Sequence, residues 1–379
     1  MTESHAWITA FCSLLSCRQW IIRIFHDSDV ERLIDEELSS LLAKFRARCS
    51  DASFPIIDFS QPAANLQSLL MKSLDEHLLE QLIREKNDLR SKSLLLGIST
   101  AFAGAWIGAV PRKSNNQHLE TALFRLVLRY WLGFPIFASG QKCVCGAPLD
   151  IYGDHVLSCN KNGELTLRHN RIRNLLFDFA KTAALSPILE KPGLQDGLQR
   201  PADIFLPSFT DENPVIIDVT VVSGMSLAQQ FQDQHERGIA SIQAEDNKRK
   251  RRQVLRNKIS THRGLIRYLP IAAESLGSIS QAFRGLLLFF ASQWEIQLQI
   301  PRNQAFLFMI RKISLEIHRS TAAHFLSVLH RLNLPESCES IMEESFFLSH
   351  SEFSSYDDQF AASEFHNQQL IYFMETIKN

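Results

Sequence analysis

Two groups of residues could do chemistry. The first is "CVCGAPLDIYGDHVLSC", which packs three of the chain's seven cysteines and a histidine into one short stretch. Cys143 and Cys145 share one tight turn, and Gly146 permits an unusual backbone angle there. His155 and Cys159 stand at i and i+4, so a helical turn points both the same way. Three sulfurs and one imidazole make a closed tetrahedral set, the usual composition of a structural zinc site. A closed set leaves no open position for a substrate, so the metal would staple a knuckle, with binding worth about 10–16 kcal/mol. Reduced, buried cysteines with a capping histidine are the plainer alternative. His169 is a rival fourth ligand, though its place beside Arg168 and Arg171 suits the start of the next helix better.

The second group is acidic. "VIIDVTVV" carries one acid, Asp218, in an apolar run, where an ionised group is costly unless paired or metal-bound. Fifteen residues earlier, "RPADIFL" places Asp203 at the start of another short run of the same kind. Pairing of the two as a hairpin would bring both carboxylates to one divalent ion. Carboxylates, water and phosphate oxygens are what magnesium prefers, and such an ion activates water for phosphodiester hydrolysis. The lysine that such a site needs is supplied by "AEDNKRKRR", with Lys248 first and Lys250 in reserve. The plainer alternatives are a strand-end cap for Asp203, an Asp218–Arg200 pair, and a solvated or nuclear-import basic run.

These groups need elements to hold them. "RPADIFLPSF", "PVIIDVTVVSG" and "IRYLPIAA" are short, β-branched and bounded by Pro, Asn or Gly, which predicts strands. "LRHNRIRNLLFDFAKTAAL" puts Ile172, Leu175, Leu176 and Phe179 on one helical face. "SLAQQFQDQHERGIASIQAEDNKRKRRQVLRNKI" predicts a helix, and so does most of the chain from Gly277 to Asn333. Upstream, Leu66, Leu69, Leu70, Leu74, Leu78 and Leu82 recur near a 3.6-residue period. "QHLETALFRLVLRYWLG" is a second amphipathic run. The expected class is α+β. Its parts are a helical region over 1–135, a knuckle over 136–168, a mixed sheet flanked by helices over 169–290, helices over 291–335 and a polar acidic tail over 336–379.

The chain has 379 residues, 45% of them hydrophobic and 21% charged, enough to bury sizeable cores. Its net charge of −1 hides an asymmetry. Lys248 to Arg267 holds nine Lys or Arg and no acid, whereas Glu336 to Asn379 holds nine acids and one base. The basic stretch, with Arg249, Arg251, Arg252, Arg256 and Lys258, suits an anionic partner such as DNA or RNA. Four scattered cysteines make a poor disulfide framework, which points to a reducing, intracellular setting, nuclear or cytoplasmic. The uncharged run Ala6–Cys17 stops at Arg18 and reads as a short buried helix rather than a membrane span.

In order, "CVCGAPLDIYGDHVLSC", "RHN", "LEKPG", "RPADI…IDVTVV", "NKRKRR" and "YLPIAAESLG" resemble the region C-terminal to the polymerase in non-LTR retrotransposon proteins with a restriction-like endonuclease. "AGAWIGAVP…LRYWLGFP" is similar to the helical segment before the knuckle there, so the resemblance spans about Leu94 to Leu276. It implies a Cys-Cys-His-Cys zinc knuckle (Cys143, Cys145, His155, Cys159) beside a PD-(D/E)XK nuclease fold. The magnesium-binding acids would be Asp203 and Asp218, with Lys248 as the catalytic lysine and Lys250 as its alternative. Glu190, in "LEKP", matches an upstream acid that assists metal binding. Thr220 stands where classical restriction folds carry lysine. The implied activity is metal-dependent DNA cleavage, the alternative an inactive zinc-stabilised nucleic-acid-binding remnant. Such elements carry reverse transcriptase on the same chain. No polymerase palm is visible here, and Tyr356-Asp357-Asp358 lacks flanking apolar strands, so the polymerase would be encoded elsewhere or lost.

Overall fold

The computed structural model describes residues 8, 11, 12, 15, 18, 28–48, 66–109, 117–161, 163–191, 203–209, 214–226, 237–258 and 267–334. The chain divides into two compact units, 1–95 and 96–379. Among the described residues, no helix is long and apolar enough to cross a membrane.

In the first unit, α1 (Ser28–Arg48) and α2 (Leu66–Glu85) contribute Leu38, Leu41, Leu70 and Leu74 to one apolar cluster. Ile8, Phe11, Cys12 and Leu15 are helical and buried in the same cluster, as the uncharged N-terminal run predicts. Leu82, at the far end of the leucine series, stays exposed. Arg18 closes the buried run with hydrogen bonds to Asp35 and Glu31 at 2.6 and 2.8 Å.

The second unit is α+β. The division at residue 95 falls within α3 (Leu89–Ile98); after it, a 3₁₀ turn (Ala103–Trp106) and α4 (Thr121–Trp131), the knuckle stretch leads through a second 3₁₀ turn (Val156–Ser158) into α5 (Glu164–Thr182). A four-stranded mixed sheet follows, with strands β1 (Ile188–Leu189), β2 (Ile204–Leu206), β3 (Val215–Val222) and β4 (Arg267–Glu274) in that spatial order. β1–β2 and β2–β3 are antiparallel. β3–β4 is parallel, with α6 (Ile239–Lys258) lying between them in the chain. The three strands expected from composition are present. Ile188–Leu189, just before Glu190, adds the short edge strand β1, which at two residues leaves too little pattern to read.

The 2.0-residue period of a strand sorts β3 between two faces. Val215, Ile217 and Val219 join Ile204, Leu206, Ile271 and Ala273 in the main core. Against them pack Ile172, Leu176 and Phe179 of α5, Phe283 and Phe290 of α7 (Gln281–Leu298), and Met309 and Ile313 of α8 (Arg302–Arg331). Each such side chain withdraws surface worth about 1.5–3 kcal/mol. The other face carries Phe205, Ile216 and Tyr268 as a smaller cluster.

α8 buries polar groups along with apolar ones. His318 lies against the rings of Trp106 and Trp131, at 5.1 and 5.2 Å. Gly277 makes this approach possible, because a Cβ there would meet Ala103 O at 2.8 Å and His318 Nε2 at 2.9 Å. Burial pulls His318 down to about 3, against a hydrogen bond with the Ala103 backbone. Burial does the same to His324, also to about 3, with the Arg168 and Arg331 charges adding to it. A histidine whose folded pKa lies below its unfolded value takes up a proton only on unfolding. Stability should therefore fall as pH drops below about 6.5 and keep falling toward 3. Thermal unfolding midpoints measured from pH 7 to 4 should decline, and His318→Phe should make the decline shallower.

Candidate metal centre and carboxylate site

The cysteine stretch folds into a knuckle. An isolated bridge between Lys142 and Pro148 closes the first turn, and the Gly146 amide donates to Cys143 O at 2.9 Å. Gly146 takes φ +86°, a left-handed angle that glycine adopts without steric cost. The second turn is organised by Asp150. One of its oxygens accepts from the Tyr152 and Asp154 amides, both at 3.0 Å, and the other from the His155 amide at 2.8 Å. That loop delivers His155 to the start of the 3₁₀ turn and Cys159 to its end.

The four ligand atoms of Cys143, Cys145, His155 and Cys159 lie within 4.8 Å of one another. Cys143 Sγ and Cys159 Sγ are 3.7 Å apart, and Cys145 Sγ is 3.2 Å from His155 Nε2. A tetrahedron with metal–sulfur bonds of about 2.3 Å has sulfur–sulfur edges of about 3.8 Å, so the cluster could hold a metal such as zinc. Among the described residues it is the one group of three or more Cys, His, Asp or Glu side chains gathered so closely. A backbone hydrogen bond from Ala147 brings the Cys145 thiol down to about 7, whereas burial pushes Cys159 up to about 11. His169 is not part of the cluster.

The acids form a second site at the ends of the strands. Asp203 directly precedes β2, whose pairing with β3 begins at Ile204 opposite Ile217, while Asp218 lies within β3 itself. The β1–β2 register pairs Leu189 with Ile204 and sets Glu190 opposite Asp203. The Glu190 amide donates to Asp203 O at 3.1 Å, in the β1–β2 register, whereas the Asp203 amide donates to Ile217 O at 3.2 Å, the partner of Ile204, so the chain leaves the β2–β3 register by one residue at Asp203. The Asp203 carboxylate reaches the Val219 amide, one residue past Asp218, so the two acids act on neighbouring residues of β3.

Each acid meets its own donor. Lys248 Nζ reaches Asp218 Oδ1 at 2.5 Å and Val219 O at 2.8 Å, while the Tyr268 hydroxyl donates to Asp218 Oδ2 at 2.5 Å. His169 Nε2 lies 3.0 Å from Asp203 Oδ1, and the Val219 amide donates to Asp203 Oδ2 at 2.6 Å. Arg173 pairs with Glu190. Burial pushes Asp203 upward, but the hydrogen bond and charge of His169, with the Val219 amide and the Asp218 carboxyl, hold it below the usual carboxylate range. Glu190 sits at φ +44°, a left-handed conformation that costs a non-glycine residue about 1–3 kcal/mol.

Of the other sequence candidates, Lys250 is exposed and outside this group. Arg249 is exposed and pairs along its own helix with Glu245 and Asp246. The side chains of Arg251, Arg252, Arg256 and Lys258 lie outside the described residues, as does Arg200. Thr220 points the same way as Asp218, its hydroxyl buried without a hydrogen-bond partner. Sequence reasoning missed Asp150, Arg173, Tyr268 and the real place of His169. The i, i+4 spacing of His169 and Arg173 on one helix was the available signal.

The chain matches no known family model and no curated protein. If the knuckle holds zinc, Asp150→Ala should weaken zinc binding about 10–100-fold, because the loop that aims His155 loses three backbone hydrogen bonds. A competition titration against a chromogenic chelator measures this, with stoichiometry falling from one zinc per chain in Cys159→Ser.

Proposed function

We propose that this chain is a metal-dependent DNA endonuclease module of a retrotransposon-derived protein, with a PD-(D/E)XK-type sheet beside a structural zinc knuckle. The observation that carries the reading is the gathering of Asp203 and Asp218 about Val219, whose amide donates to Asp203 and whose carbonyl accepts from Lys248, the lysine that also holds Asp218. Hydrolysis of a phosphodiester needs a cation site, an oriented water and positive charge near the phosphate. The Lys248 ammonium sits between a carboxylate oxygen and the Val219 carbonyl, so these oxygens already converge on a cation. Magnesium is bound through one or two carboxylates plus waters and phosphate oxygens, which the Asp203–Asp218 pair fits.

When bound, magnesium would make the attacking water more acidic and neutralise charge on the leaving oxygen. Asp203 and Asp218 would hold it. Lys248 would donate to the attacking water or a phosphate oxygen, whereas Lys250, on the exposed side of the helix, would be left for the flanking phosphates. Tyr268 would fix the Asp218 rotamer. Glu190, tied by Arg173, would assist from the neighbouring strand. The basic run from Lys248 onward, including Arg249, Arg251, Arg252, Arg256 and Lys258, would track phosphates of DNA, or of RNA. A reverse transcriptase acting at the same target in the nucleus would be the functional partner.

A second reading is a catalytically inactive, zinc-stabilised nucleic-acid-binding remnant. It is favoured by one fact: both oxygens of Asp203 and both of Asp218 are engaged by protein donors. Nicking of supercoiled plasmid with magnesium separates the two. The nuclease reading expects Asp218→Asn to abolish nicking while DNA binding stays nearly intact; equal nicking by wild type and variant sinks it.

On either reading, DNA affinity should drop with salt. The slope should be about 0.9 log units per log unit of salt for each phosphate neutralised. Fluorescence anisotropy at 50–200 mM salt measures it, and a flat response would return the basic helix to a solvated face.

A further inference from the structure

The least comfortable group in the second unit is Arg168. It is 3% exposed, yet no carboxylate is among its hydrogen-bond partners. Its Nη2 donates to two carbonyls, Val221 O at 3.1 Å and Leu157 O at 3.4 Å, while Nε and Nη1 are buried without a partner. A buried charge so poorly compensated is expensive, and an apolar side chain of similar size would often cost less. Stability alone therefore gives a poor account of it.

Its two carbonyl partners belong to different sites. Leu157 lies in the 3₁₀ turn between His155 and Cys159, inside the metal cluster's second arm. Val221 lies on β3, three residues past Asp218 and two past Val219, whose amide holds Asp203. The next residue along α5, His169, meets Asp203 directly. One guanidinium and its neighbour thus join the turn that two metal ligands frame to the strand and the acid of the carboxylate site.

We propose that Arg168 is a positioning residue through which metal occupancy of the Cys143/Cys145/His155/Cys159 cluster sets the order of the Asp203–Asp218 site. With metal bound, the His155–Cys159 turn is fixed and the Leu157 carbonyl stays where Arg168 can bridge it to β3. Without metal the turn is released, the bridge loses one end, and the start of α5 and the end of β3 loosen together. The inference deepens the nuclease reading and takes its purpose from it, but its readout needs no cleavage.

The test is hydrogen exchange on the full chain without magnesium, zinc-loaded and zinc-stripped, for wild type and Arg168→Met. In wild type, removing zinc should speed exchange of amides 217–222 about tenfold, within the usual range of coupling between sites. Protection in α7 should be unchanged. Arg168→Met should keep one zinc per chain yet show less than about a twofold response of the same amides to zinc removal. Unchanged protection of 217–222 in stripped wild type overturns the proposal, whether or not the variant folds. Loss throughout α7 as well also overturns it, since the metal would then hold the whole fold. Nicking that fails while the exchange coupling holds would remove the nuclease reading alone. Nicking that persists without coupling would remove this one alone.

Discussion

Strand β3 is the constraint on which the second unit depends. It pairs antiparallel with β2 on one side and parallel with β4 on the other, so its register is set from both edges. A one-residue slip would send Val215, Ile217 and Val219 out of the core and Asp218 into it. The cost of moving three apolar side chains, together with burying a carboxylate, holds the register firmly. The side-chain order that builds the core therefore also puts Asp218 on the opposite face, where Lys248 and Tyr268 meet it.

The helices complete this arrangement from two sides. α5 buries Ile172, Leu176 and Phe179 on the core face, and its polar positions His169 and Arg173 reach Asp203 and Glu190 at the strand ends. α6 brings Lys248 to Asp218 from the second face. The acids are thus paired one by one with donors from separate elements. This offsets part of the cost of partly burying the carboxylates and leaves each with a defined rotamer. The strained backbone at Glu190 fits a position held by its surroundings rather than by local preference.

The knuckle is a different kind of solution. Its four ligand atoms are drawn from one short stretch, and its geometry rests on turns that Gly146 and Asp150 organise locally. Packing seats it on the fold, with Leu149, Val156 and Leu157 buried and Gly153 tight against Phe137 and Phe325, but the four residues themselves come from one local sequence pattern. That is why the ligand set could be read in full from residue types and spacing.

The sequence by itself determined the α+β class, the strands around Asp203 and Asp218, the helical face of Ile172, Leu176 and Phe179, and the four cluster residues. Each is a local pattern: a period of two or 3.6, or ligand spacing within one loop. The choice of Lys248 over Lys250 was legible as a preference, but only the packing of α6 against β3 places one ammonium on Asp218 and the other in solvent. β1, the Glu190 alignment, the contacts of His169, Arg173 and Tyr268, and the buried Arg168 bridge were decided by tertiary structure alone. Those contacts join residues 11 to 53 positions apart, where no periodicity reaches, and they exist only once the strand register and the helix packing are both in place.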